Sequence, residues 1–380
     1  MTPVEVAGVG LHPFGRFEGV SVTEMGVIAV KAALSDAGIG PGDRPGFQAA
    51  FCGTAYSGVA AGHKVLSALA RTGMPIVNVE AGCASGGAAL GLAAAAIRAG
   101  QYDTALVFGI EKMPKGIIRS TFFEPWREEA GLATTPAYFA LRAQRLMRER
   151  EITKQDLARV VVKNRAHGAL NPDAMYQSEI TIEAVLASRL VCEPLHLFML
   201  CSPNEGAAAV VLRRGQDGSG AVRLDAAVLR SHLPGSVLGE ATPMAGIDDT
   251  TITPPTTLAA DAAYAEAGIG PTDVDVVKCQ DTDAARELIG WEELGLCPPG
   301  EQARLLASGD AVLGGVRPIN PSGGLLSKGE PLGASALGQV VELTRQLRGT
   351  AGPRQVEGAR CALAHTVGRG ANASVTILTH

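Results

Sequence analysis

An internal repeat narrows the folds open to this chain of 380 residues. The segment AALSDAGIGPGD at 32–43 matches AAYAEAGIGPTD at 262–273, and both read as a helix end, a glycine cap and a turn that leads to a strand. Further on, GCASGGAALG at 82–91 matches GEPLGASALG at 329–338, which aligns Cys83 with Glu330. Because the two matches occur in the same order, they indicate a duplicated unit.

Each copy of the unit reads as helix, strand, glycine-rich turn, helix and strand. The apolar run DTALVFGI at 103–110 is too continuous for a half-exposed strand and is typical of a strand covered on both faces. The sequence therefore predicts a layered α/β protein with two sheets.

The chain between Lys112 and Cys201 is more polar and more helical than its surroundings, and it returns to an apolar strand in GAAAVVLRR at 206–214. This pattern predicts a helical loop domain at 112–201, inserted as a cap over a site. The N-terminal half then comprises 1–111 and 202–225, and the C-terminal half comprises 226–380.

Charge and cysteine usage argue against several classes of function. The formal net charge is -5 and no run of Lys and Arg interleaves with aromatic residues, so a nucleic acid is not expected as a partner. We find no signal-peptide pattern and no apolar run long enough to span a bilayer, so we expect a cytoplasmic protein that does not bind membranes. Seven scattered cysteines without a CxxC pair predict free thiols and no metal site.

Cys83 stands just before a helix of small residues, ASGGAALGLAAAAIRAG at 84–100, which we expect to be buried on every side. The N–H groups at a helix start and the positive end of its dipole stabilise a thiolate, which lowers the pKa of a cysteine placed there. This environment suits a nucleophile. The alternative is a packing cysteine chosen for its small size, although Ala or Ser would fill the same turn.

A thiolate nucleophile also needs a base, and it needs donors for the oxyanion that forms on a carbonyl. His365 is the candidate base because it ends an apolar strand and precedes a turn with Gly368 and Gly370, whose N–H groups could point inward. The other histidines lack this context, and we expect them at the surface or in structural roles: His12, His63, His167, His196, His232 and His380.

Besides the Cys83 segment, five segments are distinctive: GLHPFGRF, VFGIEKM, VKNRAHGALNP, INPSGGLLSKGEPLGAS and LAHTVGRGA. Together they resemble the thiolase superfamily, and most closely its sterol-carrier-protein-type branch. The resemblance implies a duplicated five-layer α/β/α/β/α fold, a homodimer, and a loop domain that covers the pantetheine arm of coenzyme A. It also implies a coenzyme A thioester as substrate, no permanently bound cofactor, and Cys83 as the acyl-accepting nucleophile.

Two motifs of that branch are altered in this chain. The His-Asp-Cys-Phe motif with its following Asn-Glu reads QDTDAARE at 280–287, which retains Asp281 but has Thr282 for the cysteine and Arg286 for the asparagine. Thr282 cannot act as the acid or base of a Claisen reaction. The resemblance puts His365 at the remaining catalytic position. It assigns the substrate and oxyanion region to four residues: Asp281, Thr282, Asn320 and Gly368.

The second altered motif is the family's Gly-His-Pro, which reads Gly329-Glu330-Pro331. An ionised carboxylate offers no hydrogen-bond donor to an oxyanion, and the helix dipole favours the ionised form of Glu330. Glu330 could act as a general base, or it could hold His365 in one tautomer. Close to Cys83 it would oppose thiolate formation, and a salt bridge to Arg286 would take it away from the site.

Three functions remain open from the sequence. The first is an acyltransferase that forms an acyl-Cys83 intermediate and passes the acyl group to a carbon or heteroatom nucleophile; divergent acyltransferases of the family do so, some with a small zinc-ribbon and OB-fold partner protein. The second is a lyase, a retro-aldolase with an OB-fold partner, in which Asp281, Glu330 or a tyrosine does the acid–base work. The third is a non-catalytic subunit. The intact Cys83 and His365 segments favour the first.

Overall fold

A computed structural model of the chain describes residues 2–116, 125–129, 134–216, 218, 220–233, 252–368 and 372–380. The strands in these ranges are β1 (Val4–Gly15), β2 (Ala49–Gly53), β3 (Ile76–Val79), β4 (Thr104–Lys112), β5 (Leu190–Cys192), β6 (Leu195–His196), β7 (Glu205–Arg214), β8 (Arg223–Ser231), β9 (Val276–Lys278), β10 (Cys361–Gly368) and β11 (Asn372–Thr379).

The helices in the same ranges are α1 (Val22–Asp36), α2 (Ala61–Ala68), α3 (Ser85–Arg98), α4 (Pro125–Glu129), α5 (Thr135–Arg150), α6 (Lys154–Ala169), α7 (Ile182–Ala187), α8 (Pro255–Ala267), α9 (Ala284–Glu293), α10 (Gln302–Ser308), α11 (Gly324–Lys328) and α12 (Leu332–Leu347). Capping boxes begin two of them. Ser21 accepts the Glu24 N–H at the start of α1, and Thr153 accepts the Asp156 N–H at the start of α6.

Nine of the described strands form one mixed sheet in the order β3-β2-β4-β7-β1-β8-β11-β10-β9. The pairing is symmetric about the contact between β1 and β8. On one side β1 pairs antiparallel with β7, β7 antiparallel with β4, and β4 parallel with β2. On the other side β8 pairs antiparallel with β11, β11 antiparallel with β10, and β10 parallel with β9. The two half-sheets repeat one topology, which confirms the predicted duplication. The prediction of two separate sheets is wrong in one respect, because the pairing of Glu5 with Arg223 joins β1 to β8 in a single sheet.

The clusters of buried apolar side chains show that the helices pack in layers on the faces of the two half-sheets. Helices α1 and α2 pack on the outer face of β2, β4 and β7. Helices α3 and α12 lie between the half-sheets and share a core with β2 and β4 on one side and with β9 and β10 on the other. Helices α8 and α9, together with α5 and α6, cover the outer face of β10 and β11. This is the predicted five-layer α/β/α/β/α arrangement.

The small residues of α3 allow its central position, and most of the helix is buried. Leu92 is 50% exposed, so the expectation that this helix is buried on every side is wrong at that residue. Ala95, one turn further along the helix, is also exposed, whereas Ala93 and Ala94 are buried, so one face of α3 is left uncovered.

The chain between β4 and β7 carries α4 to α7 and the β5–β6 hairpin, within the segment predicted to be helical. Helices α5 and α6 pack against α9 in the outer layer of the second half-sheet. The predicted division after residue 225 falls inside β8, which pairs with β11 and therefore lies in the second half-sheet. In the described ranges we find no helix that is both long enough and apolar enough to cross a membrane.

Candidate active site

Cys83 lies in a single 3-10 turn, Gly82–Ala84, that leads directly into α3. Gly82 has a positive φ of 59°, which a glycine adopts without strain. Ser85 ties the turn together, because its hydroxyl accepts the Ala81 N–H at 2.9 Å and donates to the Gly82 carbonyl at 2.5 Å. The Cys83 side chain is buried among apolar neighbours: Ala55, Met113 and Leu332.

The end of β10 lies against the backbone of the Cys83 turn. A Cβ atom on Gly368 would sit 2.0 Å from the Ala81 carbonyl oxygen, so this close approach requires glycine. The structure thus brings Gly368, which was predicted near the oxyanion region, to the turn that carries Cys83. Gly370 of the same predicted turn lies outside the described residues.

Glu330 occupies the corresponding place just before α12. Its backbone N–H donates to the Ser202 carbonyl at 2.9 Å, and the Asn204 side chain donates to the Lys328 carbonyl at 2.7 Å. Gly329 has a φ of 81°, and a Cβ atom there would lie 2.0 Å from the Asn204 side chain. The segment before β7 therefore fixes the backbone from which Glu330 projects.

The two helix starts meet. Ser335, in the first turn of α12, donates its hydroxyl to the Cys83 carbonyl at 3.4 Å, and Leu332 packs against Cys83 itself. Burial first, and then Glu330, raise the pKa of the Cys201 thiol well above its usual value, with smaller contributions from Asp281 and Cys83. Cys201 therefore shares one electrostatic environment with Cys83 and Glu330.

Two side chains donate to the Glu330 carboxylate. The Gln280 amide reaches Oε1 at 3.0 Å, and the Cys201 thiol reaches Oε2 at 3.4 Å. Sequence reasoning singled out neither as a site residue: Gln280 was noted only as a replaced histidine, and Cys201 only as a scattered thiol. No local pattern could have found them, since they stand 50 and 129 residues from Glu330.

Asp281 and Thr282 follow β9, but their side chains are occupied by structural contacts. Asp281 accepts the N–H groups of Leu325 and Leu326 at 2.6 and 3.1 Å, as well as the Asn164 amide at 2.8 Å. Burial, and then Glu287, raise the pKa of Asp281. The Thr282 hydroxyl donates to Asp283 at 3.4 Å, and its carbonyl accepts the Cys201 N–H at 2.9 Å.

Asn320 is fully buried, and its side-chain amide is used on both sides. It donates to Glu287 at 2.9 Å and accepts the Cys279 N–H at 3.1 Å. Asn320 therefore joins α9 to the end of β9, and these contacts do not bring its amide to Cys83.

His365 is also fully buried, and its imidazole faces away from the two helix starts. Neighbouring β10 residues show the direction, because Leu363 packs in the outer layer with α8 and α9, whereas Ala364 packs in the central layer with α3 and α12. The ring pairs with the Thr256 hydroxyl at 3.1 Å and with the Cys279 sulfur at 3.7 Å. Burial, and then Arg286, lower the pKa of His365 well below its usual value.

His365 therefore does not pair with Glu330, as the sequence analysis considered, and its imidazole does not form a hydrogen bond with Cys83. The alternative of a salt bridge from Glu330 to Arg286 is not formed either, because Arg286 pairs with Glu293. Within the part of the chain that the structure describes, no group of three or more His, Cys, Asp or Glu side chains is placed to hold a metal ion.

Both halves of the chain match models of one protein family. A family model described as the N-terminal domain of thiolase matches residues 4–193, and a model described as thiolase C-terminal domain-like matches residues 240–380. Sterol carrier protein 2 of Gallus gallus is 35% identical over 98% of this chain and 71% of its own length. The benzoylsuccinyl-CoA thiolase subunit BbsB of Thauera aromatica is 37% identical over 98% of this chain and 96% of its own.

A third relative, an acetyl-CoA acetyltransferase of Methanothermobacter thermautotrophicus, is 34% identical over the full length of both chains. Among solved structures, one described as an Ltp2-ChsH2(DUF35) aldolase matches with a TM-score of 0.86 at 26% identity, over 99% of this chain and 97% of that one. Human mitochondrial 3-ketoacyl-CoA thiolase matches with a TM-score of 0.73 at 16% identity, over 100% and 98% of the two chains, which shows a shared fold.

Proposed function

Since this chain belongs to the thiolase family, we propose that it is an acyltransferase that carries its acyl group on Cys83. One observation supports this most: the start of α3 and the start of α12 meet, and the Cys201 thiol, which donates to Glu330, interacts electrostatically with Cys83 as well. Three relatives of the family match nearly all of the chain, and two of them are described as a thiolase subunit and an acetyltransferase.

In the proposed reaction the Cys83 sulfur attacks the carbonyl carbon of a coenzyme A thioester. The thiol proton passes to Glu330, a new sulfur–carbon bond forms, and the bond from the carbonyl carbon to the coenzyme A sulfur breaks. Glu330 returns the proton to the departing sulfur. A carbon or heteroatom nucleophile then attacks the acyl carbon and gives its proton to Glu330, and the bond from the acyl carbon to the Cys83 sulfur breaks. Glu330 finally passes this proton to the Cys83 sulfur.

Gly368 supplies an oxyanion donor in this proposal, because it lies against the backbone of the Cys83 turn. His365 has a structural role instead, since its ring is occupied by Thr256 and Cys279 in the outer layer. In this proposal Asp281, Thr282 and Asn320 hold the loop after β9, which carries Gln280, and do not touch the reacting atoms.

Acyl labelling tests the proposal. Incubation of the protein with a panel of acyl-CoA thioesters, followed by intact-mass measurement, should reveal one added acyl group. The adduct should be absent from Cys83→Ala and present in Cys297→Ala, which removes a buried thiol outside the site. An unlabelled wild-type protein across the panel, or a labelled Cys83→Ala, would overturn it. A chain that neither labels nor turns over alone or with a partner would be a non-catalytic subunit.

A retro-aldolase is the second candidate, and the match to a solved structure described as an aldolase favours it. In that case Cys83 is not used. Glu330 rather than Asp281 does the acid–base work, because the oxygens of Asp281 are held by α11 and Asn164. Undiminished carbon–carbon cleavage in Cys83→Ala would support the lyase over the acyltransferase.

The proposal includes partners. One similar protein is described as a subunit, and the aldolase structure is described by two component names, which supports a small partner protein for this chain. In our proposal this partner has an OB fold and a zinc ribbon. A homodimer, a cytoplasmic location, coenzyme A thioester substrates and no resident cofactor complete the proposal. Sedimentation of the chain alone should give the mass of two copies, and a monomer would contradict the dimer.

A further inference from the structure

The two oxygens of the Glu330 carboxylate are held from different sides of the site. Gln280 comes from the loop after β9 and donates to Oε1, whereas Cys201 comes from the segment before β7 and donates to Oε2. Each oxygen thus receives one identified side-chain donor. A carboxylate held at both oxygens cannot rotate freely about its last bond, so its orientation depends on both donors.

The orientation of Gln280 is itself fixed. Its side-chain oxygen accepts the Val367 N–H of β10, and a backbone N–H can only donate. The amide nitrogen must therefore face the other way, toward Glu330. This arm of the arrangement is tied to the strand that ends at Gly368, so it holds Oε1 in a constant place.

Cys201 supplies the second arm. Its backbone N–H donates to the Thr282 carbonyl at 2.9 Å, which joins the segment before β7 to the loop that carries Gln280. Burial and the neighbouring Glu330 raise the pKa of the Cys201 thiol, so this sulfur keeps its proton and donates it. A thiol that is always protonated is a poor nucleophile but a constant donor.

We propose that Cys201 is a positioning residue, whose thiol completes the hold on Glu330 and aims the carboxylate at Cys83. This inference rests on the proposed function, in which Glu330 takes the proton of Cys83. Cys201 does not bind the acyl group and does not exchange its own proton. It acts through Glu330, because its hydrogen bond sets the rotation of the carboxylate and favours the ionised form.

Two variants of Cys201 distinguish a role as hydrogen-bond donor from a role in filling space. Cys201→Ala should lower the single-turnover rate of Cys83 acylation about tenfold, and it should move the acid limb of the pH–rate profile upward by about one pH unit, because a carboxylate that loses a donor binds its proton more tightly. Cys201→Ser keeps a hydroxyl donor in the same place, and it should restore the rate to within about threefold of wild type and return the limb to its original position.

A matched control and a double variant complete the test. Cys361→Ala removes a thiol near another carboxylate, that of Asp275, at the opposite end of β10 from Gly368, and it should leave the acylation rate and its pH profile unchanged. In a Glu330→Gln background, Cys201→Ala should cause no further loss, because the group through which it acts is gone.

An acid limb that stays in place in Cys201→Ala, or a Cys201→Ser variant as slow as Cys201→Ala, would overturn the role of Cys201 while leaving the acyltransferase intact. Failure of the wild-type protein to become acylated would overturn both. The two failures are therefore distinguishable within one set of measurements.

Discussion

The starts of α3 and α12 occupy equivalent places in the duplicated fold, but different kinds of side chain surround them. At the start of α3 the Cys83 side chain lies among apolar neighbours, Met113 and Leu332. At the start of α12 the Glu330 carboxylate is held by polar donors, Gln280 and Cys201. The duplicated fold therefore contains the same turn and helix start twice, and the surrounding side chains determine the chemistry of Cys83 in one copy and of Glu330 in the other.

The contrast extends to the residues that support each start. The Cys83 turn is tied within itself by Ser85. The start of α12 is tied to the other half of the molecule, because the carboxylate of Glu111 on β4 accepts the Gly333 N–H at 3.2 Å and also the Ala55 N–H at 2.8 Å. The side-chain hydrogen bonds of Ser85 thus hold the Cys83 turn mainly through its own residues, whereas the start of α12 depends on a carboxylate 222 residues away in the sequence.

The largest expected difference between the two starts is catalytic. Cys83→Ala should form no acyl adduct at all, whereas Glu330→Gln should still form the adduct but about two to three orders of magnitude more slowly, since only the base is lost. Intact-mass time courses at neutral pH measure both. Equal and complete loss in the two variants, with both folded, would break the assignment of nucleophile and base.

A smaller difference should appear in stability at the repeat-equivalent glycines Gly333 and Gly86. A Cβ atom on Gly333 would lie 2.6 Å from the Gly53 carbonyl oxygen and 2.7 Å from that of Ile110, which are backbone atoms that cannot move aside. On Gly86 the nearest atoms would lie further away, with the Leu337 side chain at 3.0 Å and the Gly333 carbonyl oxygen at 3.1 Å, so a smaller shift would relieve the contact.

We therefore expect Gly333→Ala to lower the free energy of unfolding by about 3 kcal/mol and Gly86→Ala by about 1 kcal/mol. Urea unfolding measures both values. Gly42→Ala serves as the control, because no neighbour lies within 4 Å of its added Cβ, and it should stay within about 0.5 kcal/mol of wild type. The reverse order for the first two would mean that the start of α3 is the more tightly packed.

The sequence could predict the duplication and the two helix starts because both are local. Each is written in a contiguous segment, and the glycine pattern survives in both copies at 82–91 and 329–338. The order of half-sheets and central helices then follows from the repeated topology. The donors to Glu330 could not be predicted, because they depend on how the loop after β9 meets the segment before β7.

The direction of His365 could not be predicted for a different reason. Strand residues alternate between two faces, and polar alternation usually reveals which face is which. In β10 both faces are covered, so Ala362, Leu363 and Ala364 are all apolar and give no sign of the central side. The imidazole consequently could have faced either layer, and the register of β10 between β9 and β11 decides it.

The smallest expected effect concerns this outward-facing histidine. Burial lowers the pKa of His365 well below its usual value, so it is neutral in the folded protein. Below about pH 6.5 the unfolded chain binds a proton that the folded chain does not, so the free energy of unfolding falls as the pH drops. From about pH 7 to about pH 5.5 this one group accounts for a loss of about 1 kcal/mol.

His365→Asn should remove that loss, which urea unfolding at the two pH values measures. The same variant should leave the acid limb of Cys83 acylation in place, in contrast to changes at Glu330. An acid limb that disappears in His365→Asn would show that the imidazole, rather than the carboxylate, belongs with Cys83.

The pH dependence of Cys83 acylation in wild type and Glu330→Gln tests the central claim most directly. Single-turnover rates would be measured by intact mass, with urea unfolding to show that both proteins are folded. We expect the wild-type rate to fall on the acid side as one carboxylate becomes protonated, and we expect Glu330→Gln to lack that limb and to be slower by about two to three orders of magnitude at neutral pH. Profiles of the same shape and similar rate would contradict the account, because Glu330 would then not be the base for Cys83.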